Sequence, residues 1–131
     1  MKKETELRWA SEKYAIMAKG YAFYKDIQSK MRDALCDEDY KKIQHLIVKY
    51  RNEPYNVKAT VNTLEHIWGY FKKSAAEEDK KHFFSLLDQM KDLEAESIDE
   101  IPYEMMLFLQ YLLEKYPSDY LNKSTLSSYN V

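Results

Sequence analysis

Apolar residues recur along this chain at alternating steps of three and four, the period of an amphipathic α-helix. The clearest run is Val57 to Lys73, VKATVNTLEHIWGYFKK. At about 100° per residue, Val57, Thr60, Val61, Leu64, Ile67, Trp68 and Phe71 fall within an arc of roughly 120° that holds no charged side chain. That face is expected to enter a core. Asn56 stands at the N-cap position, where its side-chain oxygen can accept a free N–H of the first turn. Lys72 and Lys73 fall in the expected last turn, where positive charge complements the helix dipole. The opposite face is unusual: Asn62, His66 and Tyr70 follow one another at intervals of four, with Ala59, Gly69 and Lys73 on the same side. Glycine inside a helix costs about 1 kcal/mol relative to alanine, so Gly69 predicts a close approach, either by another helix or by a ligand or nucleic-acid backbone.

The rest of the chain continues the helical pattern. From about Thr5 to Lys19, Leu7, Ala10, Tyr14 and Met17 form a seam that Tyr21 and Tyr24 extend, and Gly20 either ends this helix or kinks it. Trp9 lies off the seam, over a neighbouring helix or in solvent. Phe23, Ile27, Met31 and Ala34 or Leu35 carry the pattern on. The acidic group Asp37, Glu38 and Asp39 starts a third helix, buried through Tyr40, Ile43, Leu46, Ile47 and Tyr50, with His45 partly buried among them. Pro54 closes it, and NEPYN turns into the central helix. Ser74 and Glu77 read as a capping box for a helix running to about Leu93, with Phe83, Phe84, Leu86, Leu87, Met90 and Leu93 inward. Lys80, Lys81 and His82 beside Glu77, Glu78 and Asp79 read as a solvated face of paired charges. An acidic connection follows. Pro102 then suits the first turn of a helix carried by Met105, Met106, Leu109, Leu112, Leu113 and Tyr116. Ser118 caps one last short turn, and the tail from about Asn122 is polar. No stretch alternates with the period of a strand. The expectation is an all-α bundle of about five long helices plus a short C-terminal one, forming a single domain over residues 1–131.

Composition agrees with this picture. Only two glycines and three prolines in 131 residues leave little material for hairpin turns, and 45% hydrophobic with 32% charged residues is ordinary for a globular domain. No apolar run of about 18 residues is present to span a membrane, and the N-terminal segment lacks the apolar core of a signal peptide, so a cytoplasmic location is expected. The net charge of −2 conceals an asymmetry. Residues 1–73 hold 15 Lys and Arg against 10 Asp and Glu, whereas residues 74–131 hold 5 against 12. The first half suits a polyanion and the second repels one, unless the halves serve mainly to attract each other.

Catalytic chemistry has no signature. The three histidines, His45, His66 and His82, fall on three predicted helices, and the lone Cys36 has no histidine near it in sequence. HExxH and CxxC motifs are absent, and two glycines cannot build a phosphate loop. No cofactor and no metal site is expected.

The string from Asn62 to Lys73, NTLEHIWGYFKK, resembles the signature N-x-x-x-H-x-x-G-Y-F-K of the YbgA-like domain family. KYAIMAKGYAFYKDI (13–27) is similar to that family's N-terminal KYxxMA…Y segment, EEDKKHFFSLLD to its next helix, and LLEKYPSDYLNKSTL (112–126) to its C-terminal KYPxxYLxxS segment. The order is preserved over most of the chain. Two positions depart: Glu65 stands where Gln is common, and Glu12 where His is common. In larger relatives the domain is fused behind a thiouracil-desulfurase-like domain holding an iron–sulfur cluster, where it is thought to help bind the tRNA being processed. With one cysteine, this chain resembles the non-catalytic half. The resemblance implies an accessory domain whose partner is tRNA or a separate catalytic protein. The candidate binding residues are Asn62, His66, Gly69, Tyr70, Lys72 and Lys73, which combine amide and imidazole hydrogen bonding, an aromatic face and phosphate-binding charge. A pI near 5.9 and the lack of a dense basic cluster weigh against RNA. The rivals are a protein-interaction or homo-oligomerising helical module and a small enzyme with a pocket around His66.

Overall fold

The computed structural model describes residues 1–122, the side chain of Asn122 excepted. It is all-α, with one very short pair of strands. The elements run α1 (Lys2–Lys19), α2 (Tyr21–Asp33), α3 (Asp37–Arg51), β1 (Tyr55–Asn56), α4 (Val57–Trp68), α5 (Glu77–Lys91), β2 (Ser97–Ile98), α6 (Tyr103–Lys115) and α7 (Asp119–Asn122). The expected five long helices are six among the described residues, because Gly20 separates α1 from α2 in an extended conformation instead of kinking one helix. A Cβ at Gly20 would meet the Phe23 ring at 2.9 Å. Glycine is therefore used here for space, which lets Phe23 stack on Tyr50 of α3 with centroids 4.4 Å apart. The polar tail expected from about Asn122 lies, past that residue, outside the described region.

Two apolar clusters share α1 as a common wall. Ile16 faces Ile27 of α2 and Tyr40, Ile43 and Ile47 of α3. Tyr14, Ala15 and Met17 face the larger cluster of Val61, Leu64, Ile67, Trp68 and Phe71, which continues through Phe83 and Leu87 of α5 and Met105, Leu109 and Leu112 of α6. A helix that packs on both sides cannot carry one clean stripe, and for this reason the seam read from Leu7 to Tyr21 is only partly right: Leu7 and Tyr21 are exposed while Ala15, Ile16 and Ala18 are buried. Leu35 and Leu93 are likewise exposed, and so is His45, which the pattern had placed among buried neighbours.

Polar contacts pin the helices. Thr60 Oγ1 donates to the Ala18 carbonyl oxygen at 3.0 Å, joining α4 to α1. Tyr50 donates to Asp26 at 2.5 Å, joining α3 to α2, and this bond, with burial second, pushes the Tyr50 hydroxyl up to about 12. Glu12, one of the two departures from the family pattern, meets Arg51 Nε of α3 at 2.5 Å in an ion pair. Antiparallel pairing of Tyr55 with Ile98 and Asn56 with Ser97 ties the turn before α4 to the connection after α5, and the Val57 N–H donates to the Glu96 carbonyl at 2.9 Å. Two residues per strand are too few to leave a period-two signal in sequence.

The start of α5 differs from expectation. Its N-cap is Ala76, and Ser74 makes no cap. The Ala76 N–H is instead satisfied by the Tyr116 hydroxyl oxygen at 2.8 Å. Asp79 is buried, not part of a solvated charged face: its carboxylate accepts from Tyr116 at 2.7 Å, from Tyr111 at 3.0 Å and from Lys115 at 3.0 Å. These donors, Tyr116 foremost, hold its carboxyl below the ordinary pKa of 3.8. They clamp the first turn of α5 to the last turn of α6. A carboxyl with a depressed folded-state pKa adds stability above its unfolded value and loses it as pH falls through the folded value. Asp79→Asn is expected to cost about 2 kcal/mol at neutral pH. Urea melts should show that deficit constant from neutral pH down to about pH 5 and shrinking below about pH 4, where the wild-type carboxyl protonates.

Candidate functional site

The buried arc of the central helix is as expected, and Asn56 Oδ1 caps it by accepting from the Ala59 N–H at 2.8 Å. The helix ends early, however. Trp68 is its last residue, Gly69 is the C-cap, and the chain runs on through turns to Ser74, with the Phe71 and Lys72 N–H groups bonded to the Trp68 carbonyl. Lys72 and Lys73 therefore sit in a turn and not in the last turn of a helix. Gly69 has ordinary right-handed dihedrals, and among the described residues the only atom within 4 Å of an added Cβ, its neighbours and local helix backbone aside, is the His66 carbonyl oxygen at 3.1 Å. No atom of a second helix lies within 4 Å of that position among the described residues. Phe71, just past the helix, remains buried and anchors the turn.

All six candidates, Asn62, His66, Gly69, Tyr70, Lys72 and Lys73, lie on the surface. The structure divides them. Asn62 lines a shallow groove of about 300 Å³ with Lys58, Glu65 and Lys91. There Glu65, the second departure from the family pattern, meets Lys91 of α5 at 3.8 Å. His66 and Tyr70 turn instead toward α1. The Tyr70 hydroxyl shares a hydrogen bond of 3.0 Å with the Tyr14 hydroxyl, and the His66 ring lies 5.8 Å from the Tyr14 ring. Tyr70 also stacks on Tyr120 of α7, with centroids 5.2 Å apart and planes 18° apart. Tyr120 meets Tyr14 edge-on at 6.2 Å. Over this trio sits Lys13, its ammonium 4.7 Å from the Tyr120 centroid and 5.4 Å from that of Tyr14, and it donates to the Tyr120 hydroxyl.

The result is a three-tyrosine cluster with a cation across it and an imidazole at its edge. Burial raises the Tyr14 hydroxyl well above its usual range, reinforced by the bond to Tyr70, so it stays neutral and acts only through hydrogen bonding. Burial lowers the Lys13 ammonium below its ordinary value. Cation–π attraction to two rings holds the charge where a phosphate or a base can reach it. Tyr70 and Tyr120 each keep more than two-fifths of their surface exposed, so their outer edges are open to a ligand.

Reasoning from the central helix alone missed Lys13, Tyr14 and Tyr120. A signal for them exists: Lys13 and Tyr14 open the KYAIMA segment and Tyr120 lies in KYPSDYL, two of the three other segments of family resemblance. The second of these also supplies Lys115 and Tyr116 to the Asp79 clamp, buries Leu121, and caps α7 through Ser118 Oγ, which accepts from the Leu121 N–H at 3.3 Å. Residues 13–14, 66–70 and 120, each group more than 40 positions from the next, thus meet at one patch.

Among the described residues no group of three or more His, Cys, Asp or Glu side chains is placed to hold a metal ion. No helix of the described region is long and apolar enough to cross a membrane. A family described as "Protein of unknown function (DUF1722)" matches residues 13–129, and the chain belongs to it. No curated protein and no solved structure matches the chain.

Exposed polar residues contribute little to stability, whereas the tyrosine cluster contributes through a hydrogen bond and ring contacts. The double substitution His66→Ala/Lys73→Ala is expected to leave the thermal midpoint within about 2 °C of wild type. Tyr14→Phe, which deletes one shared hydrogen bond, should cost about 1 kcal/mol in the same melts.

Proposed function

We propose that this member of the DUF1722 family is a non-catalytic accessory domain that binds RNA, with tRNA as its ligand, through the patch formed by Lys13, Tyr14, His66, Tyr70 and Tyr120. Lys72 and Lys73, exposed in the adjoining turn, serve as phosphate contacts. The observation that carries this reading is the meeting of three of the four resembling segments at one cluster in which Tyr70, Tyr120 and His66 are exposed, Lys13 lies across the rings and Tyr14 is buried beneath. Aromatic faces take bases, ammonium groups take phosphates, and an imidazole can read a base edge or a 2′-hydroxyl.

Charge orients the ligand. The half of the chain that contains α1 to α4 and supplies Lys13, His66, Tyr70, Lys72 and Lys73 is basic, whereas residues 74–131 are acidic, which favours a polyanion on the first half. The resemblance to YbgA-like domains fused to desulfurase-like partners adds a context, the handling of tRNA whose uridine carries sulfur. In that context this chain grips RNA while a separate catalytic protein carries out the chemistry.

A second reading is a protein-interaction module. It draws on a groove of about 530 Å³ between α5 and α6, lined by Leu86, Met90, Leu93, Tyr103 and Met105, where Leu93 and Tyr103 are exposed.

A titration of tRNA into the purified protein at 50 and 200 mM salt separates the two. Three lysine–phosphate contacts predict affinity falling roughly 20-fold between these conditions. His66→Ala/Lys73→Ala should weaken binding at low salt and flatten the salt dependence by about one contact. Absence of binding at low salt would refute the RNA reading and leave the apolar groove as the functional surface.

A further inference from the structure

The aromatic surface does not end at Tyr14 and Tyr70. Tyr24, half-buried on α2, packs against the core cluster that contains Tyr14. Its ring lies 5.7 Å from that of Tyr21 and 5.6 Å from that of Trp9, the latter pair stacked at 28°. Lys25 places its ammonium 5.9 Å from the Tyr21 centroid and donates to Gln28 Oε1 at 3.1 Å. The Gln28 amide donates in turn to the Tyr24 hydroxyl at 3.3 Å. This second group repeats the composition of the first: tyrosines in contact, a lysine over one ring and a hydroxyl held by a hydrogen bond. Burial raises the Tyr24 hydroxyl above its ordinary value; the tie between the two groups is the packing of Tyr24 against the cluster that contains Tyr14.

Helix α2 turns this group outward because its other face is committed. Phe23, Ile27 and Met31 pack into the α1–α3 cluster and Tyr24 lies half-buried at the edge of that face against the larger cluster, which leaves Tyr21, Lys25 and Gln28 exposed. The first turn of α2 carries no acidic residue, and Tyr21 is 56% exposed, more than either Tyr70 or Tyr120. Exposed rings interleaved with single lysines suit one kind of nucleic acid better than another. A duplex shows a protein its phosphates and groove edges and is gripped by clustered cations, whereas an unpaired base presents a π-face that an aromatic ring can cover.

We propose that the two tyrosine groups form one stacking track for unpaired nucleobases, so that the ligand is single-stranded or loop RNA, with Tyr21 as the outer platform. The inference rests on the RNA-binding reading above and names the form of RNA that the site takes.

Trp9 provides a local readout, because it stacks on Tyr24 while Trp68 is buried in the core. The probes are an unstructured oligouridylate of about ten nucleotides, a blunt RNA duplex of equal length, and tRNA. The oligouridylate is expected to quench Trp9 emission and to bind more tightly than the duplex. Tyr21→Ala should weaken its binding about tenfold, and Tyr21→Phe should retain it, since stacking needs the ring and not the hydroxyl. Tyr21 is exposed, so both variants are expected to melt as wild type does. If tRNA binds and His66→Ala/Lys73→Ala reduces it, but duplex binds as well as the single strand and Tyr21→Ala changes nothing, the stacking track is wrong and RNA binding stands. If none of the three RNAs binds, both fail.

Discussion

The burial of one face of α4 between α1 and α5 governs the rest of the molecule. Leu64 and Ile67 are almost completely covered, Trp68 stacks on Phe83 at 4.7 Å, and Phe71 continues the same face beyond the end of the helix. That packing fixes the rotation of α4 about its axis. With one side committed to the core, the edges of the helix are assigned as well: Asn62 and Glu65 fall toward α5, and His66 and Tyr70 toward α1 and α7. A rotation by one residue, about 100°, would bury His66 and expose Ile67 or Leu64, at a cost of several kcal/mol in apolar burial. The position of the polar edge is therefore a consequence of the core.

The C-terminal segment reaches this edge by a different constraint. Asp79 gathers three donors from the end of α6, and Tyr116 also satisfies the free N–H of Ala76. This clamp fixes where α6 stops. Four residues later Tyr120 rests on Tyr70, with Leu121 buried beneath it. The carboxylate has no contact with the candidate ligand surface among the described residues, yet it bears on the surface through the chain that connects Tyr116 to Tyr120. A motif such as KYPSDYL is thus intelligible as two linked tasks: its first half closes the bundle and its second half completes the patch.

Much of this was legible in the sequence, and the exceptions have physical causes. The helical class, the buried arc of α4, the Asn56 cap and the end of α3 before Pro54 follow from local periodicity and capping chemistry, whereas the sequence left open whether Gly20 ends a helix or kinks it. The seam of α1 was misread because a helix shared by two clusters is buried on two sides, and a single-stripe pattern cannot represent that. The Ser74 cap failed because a distant hydroxyl, that of Tyr116, performs the task. Asp79 looked like one more acidic residue in a first turn, since only tertiary structure brings Tyr111, Lys115 and Tyr116 to it. The candidate site was half visible: His66 and Tyr70 were identified from one helix, while Lys13, Tyr14 and Tyr120 come from elements distant in sequence and Asn62 belongs to a separate groove.

The central claim is that the packing of α4 presents an RNA-binding patch at its meeting with α1 and α7. The most direct test is to follow the backbone amide resonances of isotope-labelled protein by NMR as tRNA is added. The account predicts perturbations concentrated at residues 13–14, 66–73 and 120, continuing to 21–28 along the stacking track, with the exposed surface of α5 and α6 around Leu93 and Tyr103 unaffected. Perturbations centred on that α5–α6 groove, or spread without a focus, would contradict it.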